Sequence, residues 1–140
     1  MSKQIFVNLP VSNVSASTEF YTKLGFTLNP TFSNENASCM VWSDNIYVML
    51  LVHEFYSSFI ATKTIADTKQ TSAALLCLSL ESKDAVDNFA HVAKDNGGDF
   101  YQVESEVPAD MMFGLEVQDP DGHMWEPMWM NPDFEPHTTE

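Results

Sequence analysis

Glu126 stands among methionines, tryptophans and a proline in the stretch 119–130, DPDGHMWEPMWM, and a carboxylate in such company is the first place to look for chemistry. The stretch opens as a tight turn: Pro120 presets φ, Asp119 can bond the backbone ahead of it, and Gly122 accepts positive φ where the chain reverses. Residues 112–118 before the turn alternate Phe113, Leu115, Val117 against Gly114, Glu116, Gln118. After it, Met124, Glu126, Met128 and Met130 share one side and His123, Trp125, Pro127 and Trp129 the other. With 119–122 as the whole loop, Gln118 faces His123, and this register sets Glu126 opposite Leu115, Met124 opposite Val117 and Met128 opposite Phe113. Desolvation there raises the pKa of Glu126, so it is a protonated acid unless a cation or a metal pairs with it. A register one residue away leaves it solvated.

Few other groups compete. His91 lies between the apolar positions of a helix and His137 near the acidic residues 133–140, which leaves His53 and His123. His123 follows the turn and points away from Glu126, which favours a structural part; His53 with Glu54 begins an aromatic segment and could line a pocket mouth or be solvated. A 2-His-1-carboxylate oxygenase site needs two histidines facing Glu126, and no pair meets that demand. Cys39 and Cys77 sit in apolar, strand-like runs without metal-ligand spacing and read as buried free thiols. Serine or cysteine nucleophile motifs, phosphate-cradling glycine loops and basic aromatic stripes are absent.

The elements that must position Glu126 can be read from periodicity. Of 140 residues, 44% are apolar and 12% aromatic, ample for a core, while 6 basic residues against 20 acidic ones leave a net charge of −14. Such a surface excludes nucleic acid and anionic membranes as partners. There is no signal-type apolar segment and no run of about 18 apolar residues, which predicts a cytoplasmic protein.

Residues 5–11 alternate as a strand whose Pro10 belongs at an edge or bulge; Asn13 or Ser15 then caps a helix carrying Phe20 and Leu24, and Gly25 stops it. Residues 26–32 form a weak strand, and 37–43 with 46–52 a hairpin about Asp44 and Asn45. The segment 53–70 loses all period. Residues 72–80 read as a strand buried on both faces. Ser82 caps an amphipathic helix with Ala85, Val86, Phe89, Val92 and Ala93 on one face, ended by Asn96, Gly97 and Gly98. A short strand, 99–103, a loop, 104–110, and the closing hairpin complete the chain.

Both halves thus run strand, helix, glycine stop, strand, hairpin, and Val11 and Phe20 recur as Leu80 and Phe89 at one constant offset. A repeated βαβββ unit explains this, since two units can bury the concave faces of their sheets against each other. FVNLPVSNVSASTEFYTKLGF and DPDGHMWE resemble the opening and closing signatures of the vicinal oxygen chelate superfamily, which holds glyoxalase I, bleomycin-resistance proteins and extradiol dioxygenases. The resemblance, over about residues 4–131, implies an α+β fold in which two βαβββ modules pair into a cup-shaped mixed sheet with helices outside, often completed as a homodimer. It implies a domain over 1–132, with module one at about 4–53, a linker at about 54–70 and module two at about 71–131, before an acidic tail, 133–140.

In metal-dependent relatives, four ligands come from inward positions on the first and last strand of each module. Carried over, they fall on Phe6, Met49, Leu75 and Glu126, and only the last can hold a hard divalent cation. No cofactor is therefore expected. The reading that follows is a glyoxalase-like protein that binds a small organic molecule in an apolar cup lined by Phe6, Met49, Leu75, Met124 and Met128, with Glu126 at its floor as acid or base. The alternatives are a drug-sequestering protein without turnover, and a metal-dependent lyase or dioxygenase with unorthodox ligands.

Overall fold

A computed structural model describes residues 2–134 of the chain. The alternation near the start becomes β1 (Ile5–Val11), and Asn13 caps α1 (Val14–Leu24) by accepting a 3.0 Å hydrogen bond from the Ala16 amide. Gly25 ends that helix at φ 114°, a left-handed conformation that strains any side chain. β2 (Thr27–Asn34), β3 (Ala37–Ser43) and β4 (Ile46–Val52) complete the first unit in the order β1-β4-β3-β2, with β1 parallel to β4. β1 is an edge strand, where Pro10 is tolerated.

After a short helix, α2 (His53–Ser57), and an irregular stretch, the second unit repeats the plan. β5 (Leu75–Ser79), α3 (Lys83–Asp95), β6 (Asp99–Tyr101), β7 (Met112–Gly114), β8 (Glu116–Gln118) and β9 (Met124–Met130) form a sheet in the order β5-β9-β8-β6, with β7 also on β9. Ser82 caps α3 through a 3.0 Å bond from the Ala85 amide. β7 and β8 are one strand broken at Leu115. Its N–H donates to the Pro127 carbonyl at 3.2 Å, but proline has no N–H to return the bond. The α+β class and the two βαβββ units stand as read from the sequence, in two mixed sheets of four and five strands.

Each helix covers one face of its sheet, and the two covered faces share a single core. Phe20, Tyr21 and Leu24 of α1 meet Val86, Phe89, Ala90 and Ala93 of α3, with Leu9, Val48, Leu50, Leu78, Val117 and Trp125 from the strands. Tyr21 reaches Trp125 on β9 at 5.9 Å between ring centroids, and Trp42 on β3 reaches Phe89 at 6.2 Å. Contacts of this kind add about 1 kcal/mol each beyond the area they bury. Helix-covered faces have thus merged where concave faces were expected to, with residues of α1 and α3 buried in one cluster. The opposite faces stay open: Phe6 is 49% exposed and Leu75 52%.

β5 also differs from expectation. As an edge strand with one covered face it buries Leu78, while Leu75 and Cys77 are exposed. Both thiols are free, but only Cys39 is buried. Pro132–Phe134 form one 3-10 turn at the start of the expected tail, whose remainder, 135–140, lies outside the described residues. Among the described residues no helix is long and apolar enough to cross a membrane.

Candidate functional site

The loop before β9 decides what Glu126 faces. The Asp119 amide donates to the His123 carbonyl at 3.0 Å and the Gly122 amide to the Asp119 carbonyl at 2.9 Å, so the loop proper is 120–122, closing with Gly122 at φ 91°. A turn followed by a left-handed glycine is the three-residue hairpin connection. The four-residue loop expected from the sequence is one too long, and every pairing moves by one: Val117 faces Trp125, Gln118 faces Met124 and Gly114 faces Met128. Glu126 therefore lies opposite Glu116, not Leu115. Met124 and Met128 likewise lose Val117 and Phe113, which turn to the core side.

Cys77 on β5 pairs with Glu126, and Tyr101 on β6 pairs with Glu116, so four polar side chains form a row across the open face. Burial, then the hydrogen bond with Glu126, then the negative charge of Glu126 push Glu116 up to about 7, while the Val103 amide pulls it down. Two carboxyl groups in such contact cannot both ionise cheaply, and Glu116 keeps its proton until the pH approaches about 7. Desolvation, followed by the charge and hydrogen bond of Glu126 and the charge of Glu116, pushes the Cys77 thiol up to about 11. A thiol so raised is a weak nucleophile at physiological pH. Over the pair opens a cavity of about 610 Å3 lined by Val103, Val107, Met112, Met128 and Glu104, with no basic side chain in its lining. A carboxyl group such as Glu116, which titrates near neutral pH in a recess, can give a proton to a bound molecule and take it back at the same place.

Of the residues singled out from sequence, Glu126 and Met128 line this cavity. Phe6 lies on the open face of the other sheet, stacked on Tyr47 at 4.4 Å, and Met49 is on that sheet beside Asn8 and Cys39. Leu75 pairs with Met124 one step along β5, outside the cavity. Within one chain the structure therefore does not bring Phe6, Met49 or Leu75 to Glu126. Sequence reasoning missed Glu116 and Cys77; the Pro120-Asp121-Gly122 run, a turn closing on glycine, was the signal for the shorter loop. Trp125 belongs to the core, and His53 and Glu54 are exposed.

His123 has the structural part expected of it. It is buried, with Nε2 2.6 Å from the Pro10 carbonyl. Asp119 Oδ1 accepts from the Asp121 and His123 amides at 2.9 Å each, and Oδ2 accepts from the Tyr21 hydroxyl at 2.6 Å. That hydroxyl in turn accepts from Trp125 Nε1 at 2.9 Å. Burial raises Asp119, against the pull of His123, and raises Tyr21 well above the usual phenol range with Asp119 adding to it. This network ties the turn before β9 to α1 and β1, and so holds Glu126 in place.

A divalent metal does not fit. Phe6 and Leu75 have no donor atom and the Met49 thioether is a soft one, so the positions carried over from metal-dependent relatives offer a hard cation one carboxylate, Glu126.

A family model described as the glyoxalase/bleomycin resistance protein/dioxygenase superfamily matches residues 3–126. The chain belongs to that superfamily. Solved structures repeat its fold. A glyoxalase/bleomycin resistance protein/dioxygenase family enzyme from Burkholderia phytofirmans PsJN has a TM-score of 0.75 at 17% identity, over 93% of this chain and 100% of that one. A hypothetical protein from S. aureus gives 0.73 at 20%, over 92% and 95%. The genomically encoded fosfomycin resistance protein of Listeria monocytogenes gives 0.64 at 14%, over 94% and 93%. No curated protein sequence matches significantly. At these identities the likeness to superfamily structures speaks for the fold.

Proposed function

We propose that this superfamily member binds a small neutral or cationic organic molecule over the Glu116–Glu126 pair and moves a proton there, Glu126 and Glu116 acting as base and acid. The observation that carries the reading is Glu116, raised to about 7 beside Glu126 in a cavity with a mixed polar and apolar lining. A lyase-like proton transfer next to a carbonyl or amine is the chemistry such a pair performs. No metal enters it, since the side chains at the ligand positions do not fit one. The exposed apolar residues Phe6 and Leu75 on the open faces support a homodimer, in which a second copy covers them. The two free thiols support a cytoplasmic setting.

A thermal-shift screen of neutral and cationic carbonyl and amine compounds, repeated on Glu126→Gln and Glu116→Gln, tests the proposal. Hits that lose their shift in both variants, with turnover following the ionisation of Glu116, are expected; hits untouched by both substitutions would remove the pair from the account. The second reading, sequestration of a cationic drug without turnover, is favoured by Glu104, Glu116 and Glu126 in a lining that has no basic side chain. Tight binding lost in both variants, with the compound recovered unchanged, would select it.

A further inference from the structure

A second cavity, of about 390 Å3, has the opposite electrostatic character. It lies between β1, the start of β5, the turn before β9 and the stretch 56–72 that arches over them, and it shares no residue with the cavity over the carboxylate pair. Its body is apolar: Val7, Leu9, Ile60, Ile65, Leu76 and Met124. In a chain with 20 acidic residues, no Asp or Glu lines it. The lining has one ammonium, Lys63, which among the described residues pairs with no carboxylate; the ion pair that does form is Lys94 with Asp99. Thr64 adds a hydroxyl beside it, while the Nε2 of His123 is taken up by the Pro10 carbonyl.

The arch over this cavity is built in place. Thr68 Oγ1 donates to the Asp121 carbonyl at 2.6 Å, and a Cβ on Gly122 would meet the Thr68 carbonyl oxygen at 2.3 Å, so backbone lies directly on backbone. Ala61, two residues before Lys63, is the one non-glycine residue with positive φ, 56°, among those described. Strained backbone of this kind persists where surrounding contacts over-determine it, and ligand clamps are a common setting.

We propose that this cavity binds a small organic monoanion with an apolar body, of the aryl or branched-chain carboxylate class, with the carboxylate at Lys63 and the body against Val7, Leu9, Ile60 and Leu76. A volume of about 390 Å3 lies at the lower end for small-molecule sites, which fits a single ring or a short branched chain. The charge selects the anion: a cation meets Lys63, and a neutral isostere leaves that ammonium unpaired.

Benzoate, benzamide and benzylamine, alike in shape and different in charge, are the probes. In amide-resolved NMR titrations of the full chain, benzoate is expected to give saturable shifts at 7–9, 60–66 and 73–76, with benzamide several-fold weaker and benzylamine silent at those amides. Lys63→Met is expected to weaken benzoate about fivefold, the range for an exposed charge pair, and Lys63→Arg to retain it. Ala74→Phe, which fills the mouth, is expected to abolish the shifts. Absence of saturable shifts, equal affinity for benzamide, shifts confined to the neighbourhood of Glu116 and Glu126, or indifference to Lys63→Met would each overturn the proposal.

Discussion

Replacing Glu116 by glutamine should stabilise the protein in mild alkali and leave it nearly unchanged in acid. Glu116 is buried and sits at about 7, above the ordinary glutamate value of 4.5. The folded state therefore keeps a proton that the unfolded chain releases between those two values. Its contribution to stability is whole below about 4.5 and is lost as the pH rises through 7. At about 1.4 kcal/mol per unit of pKa, the full loss is on the order of 3 kcal/mol. Glutamine keeps the shape of the neutral acid and cannot ionise, so the difference in unfolding free energy between variant and parent should grow from about 0 at pH 4.5 to about 3 kcal/mol at pH 8.5. Asp119, also raised by burial, pulls in the same direction in both proteins and cancels in the difference. Urea unfolding followed by tryptophan fluorescence at fixed ionic strength measures it, Trp125 in the core being the reporter. A difference that does not change with pH, or a variant less stable at pH 8.5, would refute this account of the pair.

Tyr21→Phe removes the hydroxyl that joins Trp125 Nε1 to Asp119 and leaves a buried indole N–H without its partner, so a loss of about 2 kcal/mol in the same urea assay is expected. Cys77 should react with iodoacetamide at pH 8 on the order of tenfold or more slowly than an ordinary exposed thiol, and faster in Glu126→Gln, because Glu126 contributes charge and a hydrogen bond to its raised pKa. Mass spectrometry of the labelled peptide reads both rates, and equal rates in parent and variant would separate Cys77 from Glu126. Gly122→Ala forces a Cβ to within 2.3 Å of the Thr68 carbonyl at a backbone φ of 91°, and should lower stability by more than about 1 kcal/mol, while Gly97→Ala, with 3.6 Å to its nearest neighbour, should lower it less.

Much of the scaffold was legible because its signals are local. Asn13 and Ser82 cap helices by bonding an amide three residues on, and Gly25 ends one by adopting positive φ; each choice is made within a single turn of chain. The alternation of β9 was legible too, and it separated Trp125 and Pro127, which are buried, from Glu126 and Met128. The pairing of β9 was not. Whether the loop holds three residues or four depends on a hydrogen bond between Asp119 and His123, and that one residue exchanges Leu115 for Glu116 opposite Glu126. Cys77 was misjudged because an apolar run looks alike in a central and an edge strand, and only the sheet order says that β5 is an edge.

By itself the sequence determined that two βαβββ units would form and that Glu126 would lie on the opposite side of its strand from Trp125 and Pro127, since propensity, capping and period act over a few residues. The tertiary structure decided that Glu126 lies beside a second carboxylate, Glu116, that Phe6 and Met49 lie on a different sheet, and that the helix-covered faces, not the open ones, become the core. Those outcomes rest on register and on the competition between apolar faces for cover, which are settled between segments far apart in the chain.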